Sequence, residues 1–499
     1  MIFILSVIVL HQFPLTDSHA DGQDATCSLT LKEAVRLAFE QNLDVRAELF
    51  NPALAEADIR KNRAIYDPNL TLQTNYDESA TTNPTQFSTN ISKTKTFSLN
   101  AGISQLIPFG GTVGVTLNNN YERNNFSNSM DKYFTNYLVA TFTQPLLKNF
   151  GQDATELSIN VATFGKEASL NQFQTKLADI ISQVRTEYFR LYYLREDLEV
   201  KKTSRALAQK ILDETNARVI AGVLPAMEIL NAEYNVSTRE KEVIDAERAL
   251  SDKQDLLRTL IQLPGNARIN PADAPYVAAY TISESDAVRQ AMASRPELKK
   301  LREDLHSAEL QEKVAASRVM PDLSLNANAG LSGIDKSYAK QWEVLARGDY
   351  PVWGIGFTFT YPLGNTAAEN DYIKTHLKAE QLRTQIKSQE ETISNEVRNA
   401  TRAVRSGYKQ LDVTTRGAAY AEEVLNAYIK KARVGLATTK DVFDVQTNLV
   451  TAKGAQISAR TSYDGALTQY WKTTGEILAR EGIAINGKNA DTLYGTASR

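Results

Sequence analysis

The sequence of 499 residues contains few of the residues on which catalysis and metal binding usually depend. Its one cysteine, Cys27, excludes an intramolecular disulfide and a cysteine-based zinc site. Its four histidines, His11, His19, His306 and His376, are scattered, which disfavours zinc sites and Ser/His/Asp triads. Neither a GxxxxGK[ST] motif nor a strand-linked GxGxxG motif is present, so no nucleotide cradle is indicated. We therefore expect no enzyme activity, no cofactor and no metal site.

A large excess of positive or negative charge is also absent. The 56 basic and 59 acidic residues nearly cancel and leave a net charge of −3. A protein that binds nucleic acid usually presents a basic surface, which this balance does not provide. We therefore expect no nucleic acid among the partners.

Long hydrophobic runs are absent after the first residues. Residues 2–10 form a short apolar run, and Ser18-His19-Ala20 follows as a small-x-small cleavage site. This arrangement predicts a signal peptide over residues 1–20, with a buried N-terminal strand as the alternative. Later in the chain no run of 18 apolar residues occurs, so we expect no transmembrane helix. An exported chain of this kind is periplasmic, secreted or an outer-membrane β-barrel.

The chain is an internal duplication. Ala34 and Pro68 have equivalents at Ala287 and Pro321, both 253 residues downstream and within similar local sequences. Segment 141–146 (TFTQPL) resembles segment 358–363 (TFTYPL), now 217 residues downstream, so the first copy carries 36 extra residues. A constant offset across separate segments indicates two copies of one structural unit.

Each copy predicts the same order of elements. Thr30 and Glu33 form a capping box at the start of a helical stretch that runs to about Tyr66. Asn51-Pro52 interrupts this stretch, which predicts either two helices or one kinked helix. Strands with period-two alternation follow. The predicted strands are 70–76, 97–107, 112–121 and 137–145 in the first copy, and 323–327 and 354–362 in the second.

Two long helices follow the strands, over about 154–218 and 367–433. At ~1.5 Å per residue each would be close to 100 Å long. Apolar residues in the first of them recur at coiled-coil-like spacing. A glycine at 222 or 435 reverses the chain, and a shorter helix returns over about 226–263 or 439–478.

This order resembles the TolC-like outer-membrane efflux protein family over about residues 28–482. The most similar segments are 29–34 (LTLKEA), 218–223 (RVIAGV), 433–436 (RVGL) and 441–444 (DVFD). The resemblance implies an α+β membrane protein: a homotrimer with about four strands per subunit in an outer-membrane β-barrel, continued by a periplasmic α-helical barrel with coiled-coil packing. The implied partners are a periplasmic adaptor, an inner-membrane transporter and outer-membrane lipid.

The resemblance also implies a domain order and a function. The signal peptide is followed by a first repeat (28–264), an equatorial linker (265–280), a second repeat (281–482) and a C-terminal tail (483–499). The implied function is passive conduction of substrates to the cell exterior, in efflux or type I secretion. A stand-alone diffusion porin and a periplasmic coiled-coil scaffold are the alternatives.

The extra residues of the first copy depart from the family pattern. They form a hairpin over about 95–125, turning at Pro108-Phe109-Gly110-Gly111. Density of Asn and Ser over 118–129 favours a solvated loop. We therefore expect an extracellular or plug-like hairpin and about four strands in the barrel. A hairpin that crosses the membrane, which would give an unusual strand count, is the alternative.

The site residues follow from the resemblance. Asp441 and Asp444 match the family's acidic pair at the narrow periplasmic entrance, and Glu228 is the first-copy counterpart of Asp441. A solvated helix start is the alternative role for these acids. The segments Ala221-Gly222-Val223 and Val434-Gly435-Leu436 match the tips that contact the adaptor. Ala432 and Ala437 occupy the positions of the family's tyrosine and arginine lock, so that lock is unmatched.

Overall fold

The computed structural model describes residues 26–84, 89–125, 131–483, 492 and 495. The expected signal peptide and most of the C-terminal tail lie outside these residues. The chain divides into two compact units. One comprises 1–42, 183–279 and 405–468, and the other comprises 43–182, 280–404 and 469–499.

Helices account for most of the chain in both repeats. In the first repeat they are α1 (Leu31–Gln41), α2 (Leu43–Arg63), α3 (Gln152–Thr155), α4 (Leu157–Ile220) and α5 (Met227–Ile261). In the second they are α6 (Glu284–Ser294), α7 (Pro296–Arg318), α8 (Tyr338–Arg347), α9 (Thr366–Arg433), α10 (Thr439–Thr473) and α11 (Ile477–Arg480). The expected long helices are confirmed as α4 and α9, with 64 and 68 residues. None of the helices in the described residues is both long and apolar enough to cross a membrane.

The first helix begins as expected but breaks elsewhere. Thr30 and Glu33 form the capping box, with the Glu33 amide donating to Thr30 Oγ1 and the Thr30 amide donating to Glu33 Oε2. A division into two helices at Asn51-Pro52 is wrong, because Pro52 lies inside α2. The break falls at Asn42, whose side-chain amide donates to the Leu260 carbonyl at 2.8 Å. Arg295, 253 residues later, separates α6 from α7 in the same way.

The apolar stripe of α4 is buried as its spacing indicates. Phe173, Leu177, Ile180, Val184, Tyr188, Leu191 and Leu198 all lie in the interior. Leu198 packs with Val243 and Ala246 of α5. The heptad-like spacing therefore identifies the face that the long helix buries.

The strands form two sheets. They are β1 (Thr26–Leu29), β2 (Asn69–Pro84), β3 (Thr89–Leu106), β4 (Thr112–Asn124), β5 (Lys132–Pro145), β6 (Arg268–Pro271), β7 (Asp322–Asp335) and β8 (Tyr350–Thr360). The small sheet pairs β1 in parallel with β6, which lies within residues 265–280, the segment expected to link the repeats. The large sheet is antiparallel throughout and has the order β2-β3-β4-β5-β7-β8.

The large sheet has six strands, where the resemblance led to an expectation of about four strands per subunit in the barrel. The extra hairpin of the first copy forms β3 and β4. It is not a separate loop or plug, since β3 pairs with β2 from Asn69 to Pro84 and β4 pairs with β5 from Thr112 to Arg123. Residues 118–124, expected to be a solvated loop, belong to β4.

Candidate functional site

One face of the large sheet is apolar across all six strands. Register places Leu70 beside Ile103, Ile103 beside Val115, and Val115 beside Ala140, so these side chains share a face. The exposed large members of this face are Leu70, Leu72, Tyr76, Phe97, Leu99, Ile103, Val113, Val115, Leu138, Trp353, Ile355, Phe357 and Phe359. Leu70 is 79% and Trp353 78% exposed. Such a face is suited to contact with lipid.

The opposite face is polar and small. Asn100 lies opposite Asn118, which lies opposite Tyr137, and Asn328 lies opposite Gly354. Threonine, serine, asparagine and glycine dominate the remaining positions of this face. This alternation is the one that transmembrane barrels use, with the apolar face outside and the polar face toward water.

Helix α8 covers a polar interruption of the apolar face. Asn136, which shares a face with Leu138, is fully buried beside Gly333, and a Cβ on Gly333 would lie 2.4 Å from the Gln341 carbonyl oxygen. The Gln341 side-chain amide donates to Asn119 Oδ1 at 3.2 Å. Gln341 and Leu345 are the buried residues of α8. The close approach at Gly333 therefore lets α8 shield these amides.

Each helical tip ends in the same backbone motif. Gly222 has φ +73° and Gly435 φ +78°, the left-handed region expected for these glycines. At the first tip the Val223 amide donates to the Arg218 carbonyl at 2.9 Å. At the second the Leu436 amide donates to the Lys431 carbonyl at 3.0 Å. These six-to-one bonds, with the accompanying Gly222–Val219 and Gly435–Ala432 bonds, define Schellman caps.

The residues expected at the adaptor contact lie on the surface of these tips. Ala221 and both glycines are exposed. Val223, Val434 and Leu436 are 69%, 70% and 77% exposed. Aliphatic side chains this exposed at a chain reversal offer an apolar surface to a partner.

The three acidic residues occupy different environments. Asp441 is the acidic member of a second capping box: Thr438 donates to Asp441 Oδ2 through its amide and its hydroxyl, at 2.8 and 2.7 Å. These bonds hold the pKa of Asp441 below its usual value. Asp444, one turn on, is exposed, while its neighbour Phe443 is buried. Glu228 lies in the first turn of α5 and is half-buried.

Sequence reasoning missed the side chains that join the helices near the tips. Arg218 Nη1 donates to the Ala432 carbonyl at 3.1 Å and so connects the two tips. Arg239, almost fully buried, donates to Thr447 Oγ1 at 2.6 Å and so connects α5 to α10. Gln446 Nε2 donates to the Ser204 carbonyl at 2.7 Å and connects α10 to α4. Only their contacts in the folded chain distinguish these residues from the other polar residues of the helices, and the sequence does not show those contacts.

A buried carboxylic acid lies between α4 and α10. Asp464 is 1% exposed, and Arg185 Nη2 lies 4.0 Å from its Oδ1. Arg185 also donates through Nε to Thr468 Oγ1 at 3.2 Å. Burial raises the pKa of Asp464 to about 7, and the positive charge of Arg185 opposes that rise. Among the described residues no group of three His, Cys, Asp or Glu side chains could hold a metal ion.

Comparisons with known proteins agree on one family. The family model of outer membrane efflux proteins matches residues 105–262 and 287–476. The outer membrane efflux protein BepC of Brucella suis biovar 1 (strain 1330) is 22% identical over 299 residues. That match covers 58% of this chain and 62% of BepC.

Solved structures share the fold. The outer-membrane channel OprN superposes with a TM-score of 0.67 at 13% identity, covering 89% of this chain and 90% of OprN. The CmeC outer membrane channel of Campylobacter jejuni gives 0.64 at 16% identity, covering 93% and 89%. The open-state MtrE outer membrane channel of Neisseria gonorrhoeae gives 0.62 at 17% identity, covering 90% and 89%.

Proposed function

The chain belongs to the outer membrane efflux protein family, and from this premise we propose that three copies form a duct through which substrates leave the cell. The observation that carries the proposal is the large sheet with its two unlike faces. Its exposed apolar face is suited to lipid and its polar face to a water-filled lumen.

The edges of this sheet require further copies. In the described part of the chain β2 and β8 each pair with one neighbour only. Unpaired backbone groups are not tolerated in the hydrocarbon layer, so the sheet must close on itself or on other subunits. Six strands are fewer than the eight of the smallest barrels, so closure requires identical copies side by side.

The long helices suit the periplasmic part of the duct. At ~1.5 Å per residue, the 64 and 68 residues of α4 and α9 extend for about 100 Å. Three copies would align these helices and their shorter partners around one axis. A stand-alone diffusion porin would leave helices of this length unexplained. A periplasmic scaffold would leave the exposed apolar face of the sheet unexplained.

The chain offers no nucleotide-binding motif, so the energy for transport comes from partners in this proposal. We assign the inner-membrane transporter that role and the periplasmic adaptor the role of connecting it to the tips. We assign Val223, Val434 and Leu436 to the adaptor contact because they are aliphatic and exposed. Ala221, Gly222 and Gly435 complete that surface.

We assign Asp441 and Asp444 to the periplasmic entrance of the duct, with Glu228 nearby. Both aspartates follow the second tip within the first two turns of α10. Threefold symmetry would bring six aspartates to one axis. Rings of carboxylates favour cations in pores, so the entrance would be cation-selective.

The adaptor contact can be tested at Leu436. Its side chain is exposed and its backbone does not require glycine, so Leu436→Ser should leave the fold intact. We expect Leu436→Ser to lose co-purification with the adaptor and to abolish export, while heat-modifiable trimers persist in the outer membrane. Leu436→Met, which keeps an apolar side chain, is the matched control and should export normally.

Normal export by Leu436→Ser would place the contact elsewhere. The same experiment separates the alternatives. A diffusion porin would form trimers that extract only with detergent but would not retain an adaptor. A scaffold would be released from the periplasm without detergent.

A further inference from the structure

The hairpin β3–β4 is built like the strands on either side of it. β3 has 18 residues and β4 has 13, compared with 14 in β5 and 11 in β8. A tilted strand needs about 9–11 residues to cross a bilayer, so both hairpin strands are long enough. The β2–β3 ladder runs without a break from Ser104 to Thr89 of β3, and the β4–β5 ladder runs without a break from Thr112 to Arg123 of β4.

The hairpin also continues both faces of the sheet. Phe97, Leu99 and Ile103 of β3 are exposed on the apolar face, together with Val113 and Val115 of β4. The alternate residues are Ser98, Asn100, Gly102 and Ser104 in β3 and Gly114, Thr116, Asn118 and Asn120 in β4. A loop in water or a plug in the lumen is surrounded by water and would not be expected to expose apolar side chains along one side of both strands.

The hairpin turn is fixed at the end of the sheet where the chain enters from α2 and leaves toward α3. The Phe109 carbonyl accepts from Gln144 Nε2 at 2.9 Å and from the Gly151 amide at 3.3 Å. Gln105 Nε2 donates to the Tyr66 carbonyl at 2.9 Å. Gly110 supplies the positive φ of +86° that the turn requires, and a Cβ there would approach Thr155 Oγ1. These contacts attach the turn to the end of the sheet that adjoins α2 and α3.

We propose that β3 and β4 are part of the transmembrane wall, so that each copy contributes six strands and the duct opens outward through an 18-stranded barrel. The count of three copies rests on the proposed function, whereas the six strands per copy rest on the sheet. Barrel diameter grows roughly linearly with strand number, so this exit is about 1.5 times as wide as a 12-stranded one. Barrels of 16–18 strands leave an open aqueous channel.

The chemistry of the polar face indicates what such an exit admits. Among the described strands this face carries no lysine or arginine and three acids, Asp77, Glu122 and Asp322. Its other polar residues are hydroxyl or amide side chains. A wide wall of mainly hydroxyl and amide side chains admits bulky hydrated solutes, and its acidic residues favour cations over anions, as the acids of the periplasmic entrance do.

A cysteine-accessibility scan tests the position of the hairpin in the full-length protein. In a Cys27→Ser background, single substitutions are labelled in outer membranes with a membrane-impermeant maleimide. Asn100→Cys and Asn118→Cys should be labelled, and Leu99→Cys and Val115→Cys should not. Thr358→Cys and Phe357→Cys on β8 are the matched controls for a lumenal and a lipid-facing position. Labelling of all four hairpin positions, or of none, would overturn the proposal.

Deleting residues 89–124 tests the width. Leu70 and Ala140 share a face, so β2 and β5 can pair in the shortened chain with both faces unchanged. In planar bilayers, neutral polymers added on the extracellular side should enter the intact channel at radii about 1.5-fold larger than in the deletion variant. An identical size limit would contradict the wider barrel.

Subunit counting by cross-linking keeps the two proposals apart. A number of copies other than three would contradict the proposed trimer and leave the labelling result for the hairpin intact. Should the deletion variant not assemble, the accessibility scan decides the position of the hairpin by itself.

Discussion

Asp464 shows how a single buried side chain makes stability depend on pH. Its folded pKa of about 7 lies above the usual value of 3.8, so the folded state binds its proton more tightly than the unfolded state. Stability is therefore lost as the pH rises from about 4 through about 7, and the loss is complete above that range. Below about pH 4 the acid is protonated in both the folded and the unfolded state, so it does not reduce the free energy of unfolding.

We expect Asp464→Asn to remove this part of the pH dependence. The unfolding temperature of the native protein in detergent should fall between pH 5 and pH 8, and should fall less in the variant. Asp252→Asn, at an exposed position on α5, is the matched control and should follow the native protein. An equal fall in Asp464→Asn and the native protein would mean that Asp464 is already ionised at pH 5.

Asp444 allows the entrance charge to be tested without disturbing a helix start. Asp441 caps α10 through Thr438, so its replacement changes both charge and structure. Asp444 is exposed, and Asp444→Asn removes one charge per copy. We expect the affinity of a blocking multivalent cation for the Asp444→Asn channel to fall roughly tenfold, equivalent to about 1.4 kcal/mol. Planar-bilayer recordings at increasing cation concentration measure this affinity.

Glu228→Gln is the control for Asp444→Asn, because it removes the same charge from the half-buried first-copy position. Its effect on block should be clearly smaller. Unchanged block in Asp444→Asn would remove this residue from the entrance and leave the acids of α10 as a solvated helix start.

Among the helices, the hydrogen bond between the two tips can be tested through stability. Arg218 donates to the Ala432 carbonyl, and a net bond of this kind contributes about 1 kcal/mol. Arg218→Ala should therefore lower the free energy of unfolding by about that amount, measured as a lower unfolding temperature in detergent. Arg433→Ala, at the exposed arginine before the other tip, removes equal charge and should leave the unfolding temperature near its native value. Equal effects of the two substitutions would indicate an electrostatic cause.

The elements themselves were largely predictable from the sequence. The long helices follow from unbroken stretches with helical spacing, and the capping box at Thr30 from its two side chains. The helix break at Asn42 was missed because a tertiary bond to the Leu260 carbonyl, rather than Pro52, determines it. Alternation also identified β3 and β4 as strands. It does not say which strands are neighbours, so their place in the sheet required the structure.

The candidate site was predictable only in part. The tip glycines predict left-handed helix caps, which the structure has. Asp441 and Asp444 were identified only from the resemblance to the family's tips. The capping role of Asp441 was missed, although Thr438 and Asp441 have the same spacing as the capping box of Thr30 and Glu33. Arg218, Arg239 and Gln446 act across distances of roughly two hundred residues in sequence, so only the packed helices reveal them.

At the scale of the whole molecule, duplication explains the arrangement and the insertion explains the departure from it. Both repeats provide strands, a long helix, a tip and a returning helix. The first repeat adds two strands to a sheet whose edges remain open to further copies.

Single-channel recording across a planar bilayer tests the duct most directly. The full-length protein, inserted in one orientation, should conduct in discrete steps, and a multivalent cation should block the current only from the side of the helical tips. Absence of conductance, or equal block from both sides, would contradict a duct with its charged entrance at Asp441 and Asp444.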